Sequence, residues 1–396
     1  MKRELQNHLY LGNHYKELKD YEKAEHHYKI AKQLSPTDPE VLGHLCSFCH
    51  HMYKFDYALK CAELAVKYLK KPDEAVYFNY ALLLGDIGET KLSQDYFCKA
   101  IMANPKYNQA RFGLGMEQIR NKNYTQGWQN YESRINCFEN FKNLQEKYHV
   151  PYWKGEKGGT VVFYSDQGMG DIIFGLRYLP ELLFHNTKFY IDSNLELNDK
   201  FTTNKYTNQK VDYCCSFMSL PAITNSANPL HKNYKFYFKR HDCKNSKKKV
   251  GIIFAGNPLH NNDYKRSMHL SNLKPVFEKY DCYLLQKLNY MSRWHMSKFV
   301  NLYDCKFIGE IIEPQDLKQT LDKLYELDCL VTVDTGIAHL AGAIGMPTYV
   351  LLDYSPDFRW GMKDGNTEYY PSWHLCRQNQ PFDWDSAVQK CIKIMG

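Results

Sequence analysis

Long apolar runs are missing from this 396-residue chain. No stretch approaches the roughly 20 consecutive apolar residues that a membrane-spanning helix requires. The first twenty residues carry charge throughout and contain no unbroken apolar core, so we expect neither a secretory signal nor a transmembrane segment. These absences favour a cytoplasmic protein over a secreted or membrane-spanning one.

A regular cysteine framework is also absent. The chain has 13 cysteines, an odd number without framework spacing, so we expect free thiols in a reducing compartment. One segment, CSFCH at 46–50, matches the motif of covalent haem attachment. Cys46 and Cys49 fall on positions of the repeat described below that favour buried side chains. We therefore interpret both as core residues and expect no haem.

Neither sign of charge dominates the chain. Lysine and arginine total 51 against 44 aspartates and glutamates, which gives a net charge of +7. This excess is too mild to indicate nucleic acid as a partner, although it suits an anionic ligand. Hydrophobic residues make up 44% and charged residues 24%, as in an ordinary globular protein long enough for two or three domains.

The front of the chain repeats itself at about the 34-residue period of tetratricopeptide helix pairs. The first copy begins with LGNHY at 11–15, and the fourth begins with Leu114 and Gly115 and fades after Tyr131. Small residues at the helix crossings allow close approach, and prolines end the second helices. The pattern predicts an α-helical solenoid over 1–135. Its concave face would bind a polypeptide or, alternatively, the stack would only stabilise the following domain.

After a connector over 136–157, short apolar runs alternate with helical sequence. The runs are TVVFYS, KFYIDS, VGIIFAG, CYLLQKL, LVTVD and TYVLLD, and YCCSFMSLP at 213–221 is interpreted as a strand end and a turn. This alternation predicts parallel sheets with crossover helices. We expect two Rossmann-like lobes, a short one over 158–243 and a second over 244–396. Ligands should bind between them, at the carboxyl ends of the strands.

A glycine-containing loop, SDQGMGD, follows the first of these strands and opens the apolar helix IIFGLRYLPELL. Gly168 and Gly170 permit tight turns, Gln167 helps to shape the loop, and a helix N-terminus attracts negative charge. A dinucleotide fingerprint would require a third glycine where Ile173 stands. An NAD-dependent oxidoreductase is therefore disfavoured.

Asp171 ends this loop at the predicted start of the helix, where the helix dipole favours an ionised carboxylate. Such a carboxylate either caps the helix or accepts a proton from a hydroxyl nucleophile. On the residues alone, capping is the favoured interpretation.

Two loops of the second lobe suit an anion. One follows VGIIFAG and contains NPLHNNDYKRS, and the other is VTVDTGIAHLAG, whose helix we predict to begin near Asp334 to Gly336. Backbone amides at a helix start and nearby cations are suited to a diphosphate. The candidate contacts are Gly256, Asn257, Lys265, Arg266, Thr335, Gly336 and His339. We expect Asp334 to hold its loop and not to touch the phosphates.

Taken with the repeats, these motifs resemble the tetratricopeptide-containing branch of the heptosyltransferase-like (glycosyltransferase family 9-like) group of GT-B glycosyltransferases. The resemblance covers nearly the whole chain. It is carried by GWQNYESR, PYWKGE, GMGDIIFGLRYLP, FMSLPAI, AGNPLHNND, LLQK, VTVDTGIAHLAGAIGMP and DFRWGMKDGNTEYYPSWHLCRQ. Asp166 departs from the pattern, since this branch usually has glutamate there.

The resemblance implies an α-helical solenoid followed by a GT-B unit that transfers a sugar from a nucleotide-diphosphate-sugar, with inversion and without a metal or other cofactor. It implies a polypeptide acceptor chosen by the repeats. Asp171 would be the general base. The donor diphosphate would be held by Lys265, Arg266, Asp334, Thr335, Gly336 and His339, with Gln286 and Lys287 near the nucleoside. The alternative is a non-catalytic adaptor that acts through its repeats.

Overall fold

The computed structural model divides the chain into two compact units, Met1–Phe138 (unit 1) and Glu139–Gly396 (unit 2). In the part of the chain that it describes, no helix combines the length and the apolar character needed to cross a membrane. The described residues are 2–137, 143, 146–180, 182, 186–192, 205–224, 248–257, 260, 262–286, 310–311 and 316–396.

Unit 1, over its described residues 2–137, is built from four successive helix pairs. The pairs are α1 (Lys2–Glu17) with α2 (Tyr21–Leu34), α3 (Pro39–His51) with α4 (Phe55–Tyr68), α5 (Glu74–Asp86) with α6 (Thr90–Ala103), and α7 (Asn108–Arg120) with the shorter α8 (Tyr124–Tyr131). Helix α8 passes into a 3-10 turn at Glu132–Asn136. The predicted repeat is confirmed, and its fading after Tyr131 coincides with the end of α8.

Local sequence explains where these helices begin and how closely they pack. Asp20, Asp38 and Asp73 precede α2, α3 and α5, and each accepts a hydrogen bond from a backbone N–H of the first turn. Within the first pair, a methyl group on Gly12 would lie 2.6 Å from Cε1 of Tyr28, so glycine permits the contact. Cys46 and Cys49 are buried free thiols in the core of unit 1, as predicted.

The smaller sheet of unit 2 has three parallel strands in the described residues. Strand β1 (Thr160–Tyr164) lies between β2 (Lys188–Asp192) and β3 (Tyr213–Ser216). Helix α9 (Met169–Leu176) follows β1. The helix predicted over IIFGLRYLPELL therefore ends earlier than expected. Pro180 gives the reason, because it has no backbone N–H to donate to the carbonyl of Leu176, four residues earlier.

The larger sheet has the strand order β6-β5-β4-β7-β8-β10-β9 in the described residues. All of its pairings are parallel except the one between β9 and β10. Strands β7 and β8 are buried along their whole length, which explains their continuous apolar sequence. The strands are β4 (Lys249–Ile253), β5 (Asp281–Leu284), β6 (Glu310–Ile311), β7 (Cys329–Val333), β8 (Thr348–Leu352), β9 (Gly365–Asn366) and β10 (Trp373–Arg377).

The remaining helices of unit 2 connect or flank these strands. They are α10 (Leu220–Ile223), α11 (Asp263–Arg266), α12 (Lys274–Phe277), α13 (Leu317–Glu326), α14 (Gly336–Ala343) and α15 (Trp384–Met395). The predicted fold class is confirmed: a tetratricopeptide-like solenoid precedes an α/β unit with two Rossmann-like sheets, the GT-B arrangement with a short first lobe. Strands β6, β9 and β10 were not predicted.

Candidate functional site

Helices α9 and α14 contact each other at their first residues. A methyl group on Gly170 would lie 2.8 Å from Cδ2 of His339, and one on Gly336 would lie 2.6 Å from Cε of Met169. Both distances are too short for a real side chain, so the two glycines allow the contact. Strands β1 and β7 belong to different sheets. The contact between the helices brings the loops that follow these two strands together.

Asp171 caps helix α9 and also pairs with an arginine from the other lobe. Its Oδ2 accepts a hydrogen bond from the backbone N–H of Gly168 at 2.9 Å. Its Oδ1 accepts one from Nη1 of Arg359 at 2.7 Å. The capping interpretation is confirmed. Since each carboxylate oxygen has two lone pairs, each keeps one for a further donor.

Arg359, which the sequence analysis did not single out, is the cation at the centre of this site. Its Nε donates to Oδ1 of Asp357 at 2.7 Å and its Nη2 to Oδ2 at 3.2 Å. Burial opposes the charge of Arg359, but Asp357 and Asp171 outweigh that effect and raise its pKa well above the ordinary value. Arg359 is therefore a permanent charge whose donors are directed at two carboxylates.

Asp334 joins the loop after β7 to the segment after β8. Nε1 of Trp360 donates to its Oδ2 at 2.8 Å. Burial and the charge of Asp357 raise the pKa of Asp334 to about 6, although Arg359 and the bond from Trp360 oppose the increase. This contact agrees with the expectation that Asp334 holds its loop.

Thr335 is the N-cap of α14. Its Oγ1 accepts a hydrogen bond from the N–H of Ala338 at 3.4 Å and lies 3.3 Å from the hydroxyl of Thr332. The helix begins at Gly336, as predicted. A capping hydroxyl still leaves other amides of the first turn available to an anion.

His339 is buried, with 3% of its surface exposed. Its Nδ1 lies 2.8 Å from the hydroxyl of Tyr370, and its ring packs against Phe174, Trp360 and Trp373. Burial, assisted by nearby arginines, lowers the pKa of His339 well below the ordinary value. The ring is therefore neutral and serves as part of an aromatic contact between the lobes. Its predicted role at the diphosphate stays a prediction.

Arg266 lies in the loop after β4, next to Gly256. Its Nε donates to Oδ1 of Asp263 at 3.2 Å, and the same oxygen accepts from the hydroxyl of Ser267. A methyl group on Gly256 would lie 2.8 Å from Nη2 of Arg266, so only glycine leaves room for the guanidinium. The ion pair with Asp263 is formed by Nε of Arg266. The Arg266 side chain is 24% exposed, so a ligand in solvent can reach it.

The other predicted residues are less closely grouped. Asn257 is exposed in the same loop, and Lys265 has its Nζ 5.8 Å from the ring centre of Tyr264. Gln286 is buried, and its Oε1 accepts from the N–H of Ala255, so it supports the end of β4. The backbone of Gln167 accepts a bond from Ser165 in the first loop. Lys287 lies outside the described residues.

His260 is a second residue that the sequence analysis did not select. Its Nδ1 accepts a hydrogen bond from the N–H of Asn262 at 3.1 Å, which places the proton of the neutral ring on Nε2. Burial and the charge of Arg266 lower its pKa, while Asp263 and, less strongly, Asp171 and Asp357 oppose that shift.

The carboxylates are unevenly distributed between two parts of the site, although Arg266 also acts on Asp334. Around Arg359 lie the three carboxylates Asp171, Asp334 and Asp357, an environment that repels phosphate. Around Arg266 the described residues supply one ion-paired carboxylate and the adjacent Lys265. The second part is the one suited to an anion. No group of three or more His, Cys, Asp or Glu among the described residues is arranged to hold a metal ion.

Comparisons with known proteins find only distant structural likeness. No protein-family profile matches the chain, and no curated protein matches its sequence. An O-GlcNAc transferase mutant from Thermobaculum terrenum aligns with 89% of this chain and 84% of its own at 12% identity, with a TM-score of 0.36. MamA aligns with 36% of this chain and 78% of its own at 20% identity and a TM-score of 0.30. PilF of Pseudomonas aeruginosa aligns with 37% of this chain and 69% of its own at 15% identity, with a TM-score of 0.32.

Proposed function

We propose that unit 2 is a glycosyltransferase of the heptosyltransferase-like group that transfers a sugar from a nucleotide-diphosphate-sugar to an acceptor hydroxyl. The observation that carries the proposal is the meeting of the loops after β1, β7 and β8 around Asp171. Gly170 contacts the start of α14, and Arg359 pairs with Asp171. Ligand sites of α/β sheets lie at such strand ends.

The donor diphosphate would bind on the Arg266 side of the site. Arg266 and Lys265 supply positive charge, and Gly256 leaves the room that the Arg266 guanidinium occupies. The first turn of α14, capped by Thr335, would add backbone amides and a favourable helix dipole. The three carboxylates around Arg359 make the opposite side unsuitable for phosphate.

In the proposed step, the acceptor oxygen attacks the anomeric carbon while the bond from that carbon to the diphosphate oxygen breaks. The electron pair leaves with the diphosphate, and the hydroxyl proton passes to the carboxylate of Asp171. Arg266 stabilises the charge that develops on the leaving group. Attack opposite the leaving group inverts the anomeric carbon. The step requires no metal ion.

The acceptor we propose is a polypeptide bound by unit 1 in the cytoplasm. Polar side chains connect the first helices of successive pairs there: Lys16 donates to Ser47, and His50 lies 2.7 Å from Asp86. In this proposal the bound polypeptide contacts these polar groups. The cysteines of the described residues are free thiols, which suits a reducing compartment.

A thermal-shift screen with UDP, GDP, ADP and CMP tests the donor site. A nucleotide that binds the folded state raises its melting temperature, and we expect one of these to do so in the wild-type protein. Arg266→Ala should remove the shift. If none of the four nucleotides stabilises the protein at millimolar concentration, the donor site is not where we propose it.

Substitution of Asp171 tests the chemical step separately from binding. Hydrolysis or transfer is assayed with UDP-glucose, UDP-N-acetylglucosamine and GDP-mannose. Asp171→Asn should lower kcat by about 10²- to 10⁴-fold, because the general base is lost, and should leave the nucleotide thermal shift in place. Nucleotide binding without turnover in the wild-type protein would favour the adaptor over the enzyme.

A further inference from the structure

The guanidinium of Arg359 uses one edge, formed by two of its nitrogens, on one carboxylate and its remaining terminal nitrogen on another. Nε and Nη2 form a fork on Asp357 at 2.7 and 3.2 Å, and Nη1 reaches Oδ1 of Asp171 at 2.7 Å. Because the guanidinium is planar and rigid, the fork on Asp357 determines the direction in which Nη1 points. Asp357 is itself held, since its Oδ1 also accepts from the backbone N–H of Arg359.

Aromatic rings enclose this cation. The centre of its guanidinium lies 5.3 Å from the ring of Phe174 and 5.7 Å from that of Trp360. Phe174 belongs to α9, one turn after Asp171, so Arg359 contacts two positions on the same face of that helix. Only 9% of the Arg359 side chain is exposed. The arginine therefore has little freedom to adopt another rotamer.

Asp171 is held from two directions as a result. Arg359 binds Oδ1, the N–H of Gly168 binds Oδ2, and the carboxylate is 14% exposed. Two bonds on different oxygens determine both the position and the plane of the carboxylate. The remaining lone pairs then face a defined direction, which proton transfer from an acceptor hydroxyl requires.

We propose that Arg359 is the positioning residue for Asp171 and that Asp357 orients Arg359 for this task. The inference rests on the proposed function, because it assumes that Asp171 acts as the base. It also makes the placement of the base depend on how the two lobes are arranged. Asp171 follows β1 of the first lobe, whereas Arg359 follows β8 of the second. The base is then correctly placed only when the two lobes are together.

The energetics of buried ion pairs agree with such a role. Removing two charges from water is costly, and apolar residues of similar volume often stabilise a fold as well as a buried ion pair does. Arg359 nevertheless lies among three carboxylates inside an otherwise aromatic contact. A requirement for packing alone would be met by another apolar side chain, but only a forked cation can hold Asp171 and Asp357 together.

The test compares Arg359→Lys, Arg359→Met and Asp357→Asn in the full chain, with UDP-glucose, UDP-N-acetylglucosamine and GDP-mannose as probes. We expect the Met variant to lower kcat by about 10²-fold with KM for the donor within about twofold, because Arg359 acts through the base and not on the donor. The kcat of the Arg359→Lys variant should be about tenfold higher than that of the Met variant. The kcat of Asp357→Asn should lie between those of the Lys variant and the wild type.

Arg177 provides the matched control. It is a partly buried arginine of the same contact between the lobes, with bonds to the backbone carbonyls of Phe174 and Tyr369. Arg177→Met should lower the melting temperature yet change kcat by less than about threefold. Equal losses of kcat in the Arg177 and Arg359 variants would mean that the lobe contact as a whole matters, and would overturn the assignment.

A stability cycle covers the case in which a variant folds poorly. Unfolding by urea is measured for Asp171→Asn, Arg359→Lys and the double variant, and the effects of the two single changes should be less than additive. Additive effects would contradict the contact itself. Intact coupling with nucleotide binding but no turnover in wild type would show that the glycosyltransferase proposal fails, and would reduce Arg359 to a structural residue.

Discussion

Arg266 and Arg359 lie in the segments that follow the carboxyl ends of the parallel strands β4 and β8, and each is held by an aspartate two or three residues earlier. The pair of Arg266 with Asp263 uses Nε, and 24% of the Arg266 side chain is exposed. Arg359 directs both edges at carboxylates and is 9% exposed. The first arginine is suited to bind an anionic ligand, and the second is committed to Asp171. Two residues of one type in similar loops thus have different tasks, which their partners determine.

The largest difference between the two arginines should appear in stability. Arg359→Met leaves two partly buried carboxylates without their cation and should lower the free energy of unfolding by roughly 2–4 kcal/mol. Arg266→Met leaves one buried carboxylate, Asp263, which keeps its hydrogen bond from Ser267, and should cost about 1–2 kcal/mol. Urea denaturation followed through the unit 2 transition measures both values. Equal losses would abolish the distinction between the two sites.

Nucleotide affinity should give the opposite order. The thermal-shift screen selects the nucleoside diphosphate. Arg266→Ala should raise the Kd for this nucleotide by about 10- to 100-fold, which corresponds to a loss of roughly 1.4–2.8 kcal/mol in binding free energy. Arg359→Lys keeps the positive charge in its buried place and should change Kd by less than about threefold. Calorimetric titration provides the values. A larger loss of nucleotide affinity in the Arg359 variant than in the Arg266 variant would indicate that the donor binds beside Arg359.

These two arginines also mark what the sequence could predict. Arg266 belongs to a loop that directly follows an apolar run, so its place at a strand end was predictable. Arg359 meets Asp171 across 188 positions of sequence, and no local pattern indicates that contact. The aromatic surroundings of His339 were missed for the same reason, since Tyr370 and Trp373 reach it from a segment that was not predicted as a strand.

The repeats of unit 1 and the start of α14 were predicted more completely. The residue types at tetratricopeptide positions are determined by contacts within one helix pair, such as that of Gly12 with Tyr28. The sequence pattern that predicts the repeat is therefore contained in one repeat of about 34 residues. The start of α14 depends on its N-cap, Thr335, which is a local property as well. Asp334 was expected to hold its loop, but its partner, Trp360, could only be found in three dimensions.

The contact between the lobes can be tested at two neighbouring glycines. A methyl group on Gly170 would lie 2.8 Å from the buried ring of His339, whereas one on Gly168 would meet its nearest atom, Oδ2 of Asp171, at 3.5 Å. Gly170→Ala should cost about 1–3 kcal/mol despite the better helix propensity of alanine. Gly168→Ala should cost less than about 1 kcal/mol. Equal costs in urea denaturation would mean that α9 and α14 are not in close contact.

The smallest expected effect is a change in the pH dependence of stability. The folded pKa of Asp334, about 6, lies above its unfolded value of about 3.9, so this group stabilises the fold as pH falls from 6 towards 4. His339 acts in the opposite sense, because its folded pKa is lowered and protonation of the unfolded state below about pH 6.5 favours unfolding.

Asp334→Asn removes the first contribution and keeps an acceptor for Trp360. At pH 7 it should raise the free energy of unfolding by about 1–2 kcal/mol, because the cost of a buried charge is relieved. Between pH 6.5 and 4 its melting temperature should fall more steeply than that of the wild type, since the stabilising contribution of Asp334 is lost while the opposing one of His339 remains. Parallel curves for the two proteins would show that Asp334 is not buried as a charge.

The division of labour between the two arginines is tested most directly by one titration series. Wild type, Arg266→Ala and Arg359→Lys are titrated with the same nucleoside diphosphate, and kcat is measured on the corresponding nucleotide-sugar. The account predicts that Arg266→Ala loses affinity by about 10- to 100-fold and that Arg359→Lys keeps its affinity but loses about tenfold in kcat. Retained affinity in Arg266→Ala together with lost affinity in Arg359→Lys would contradict it.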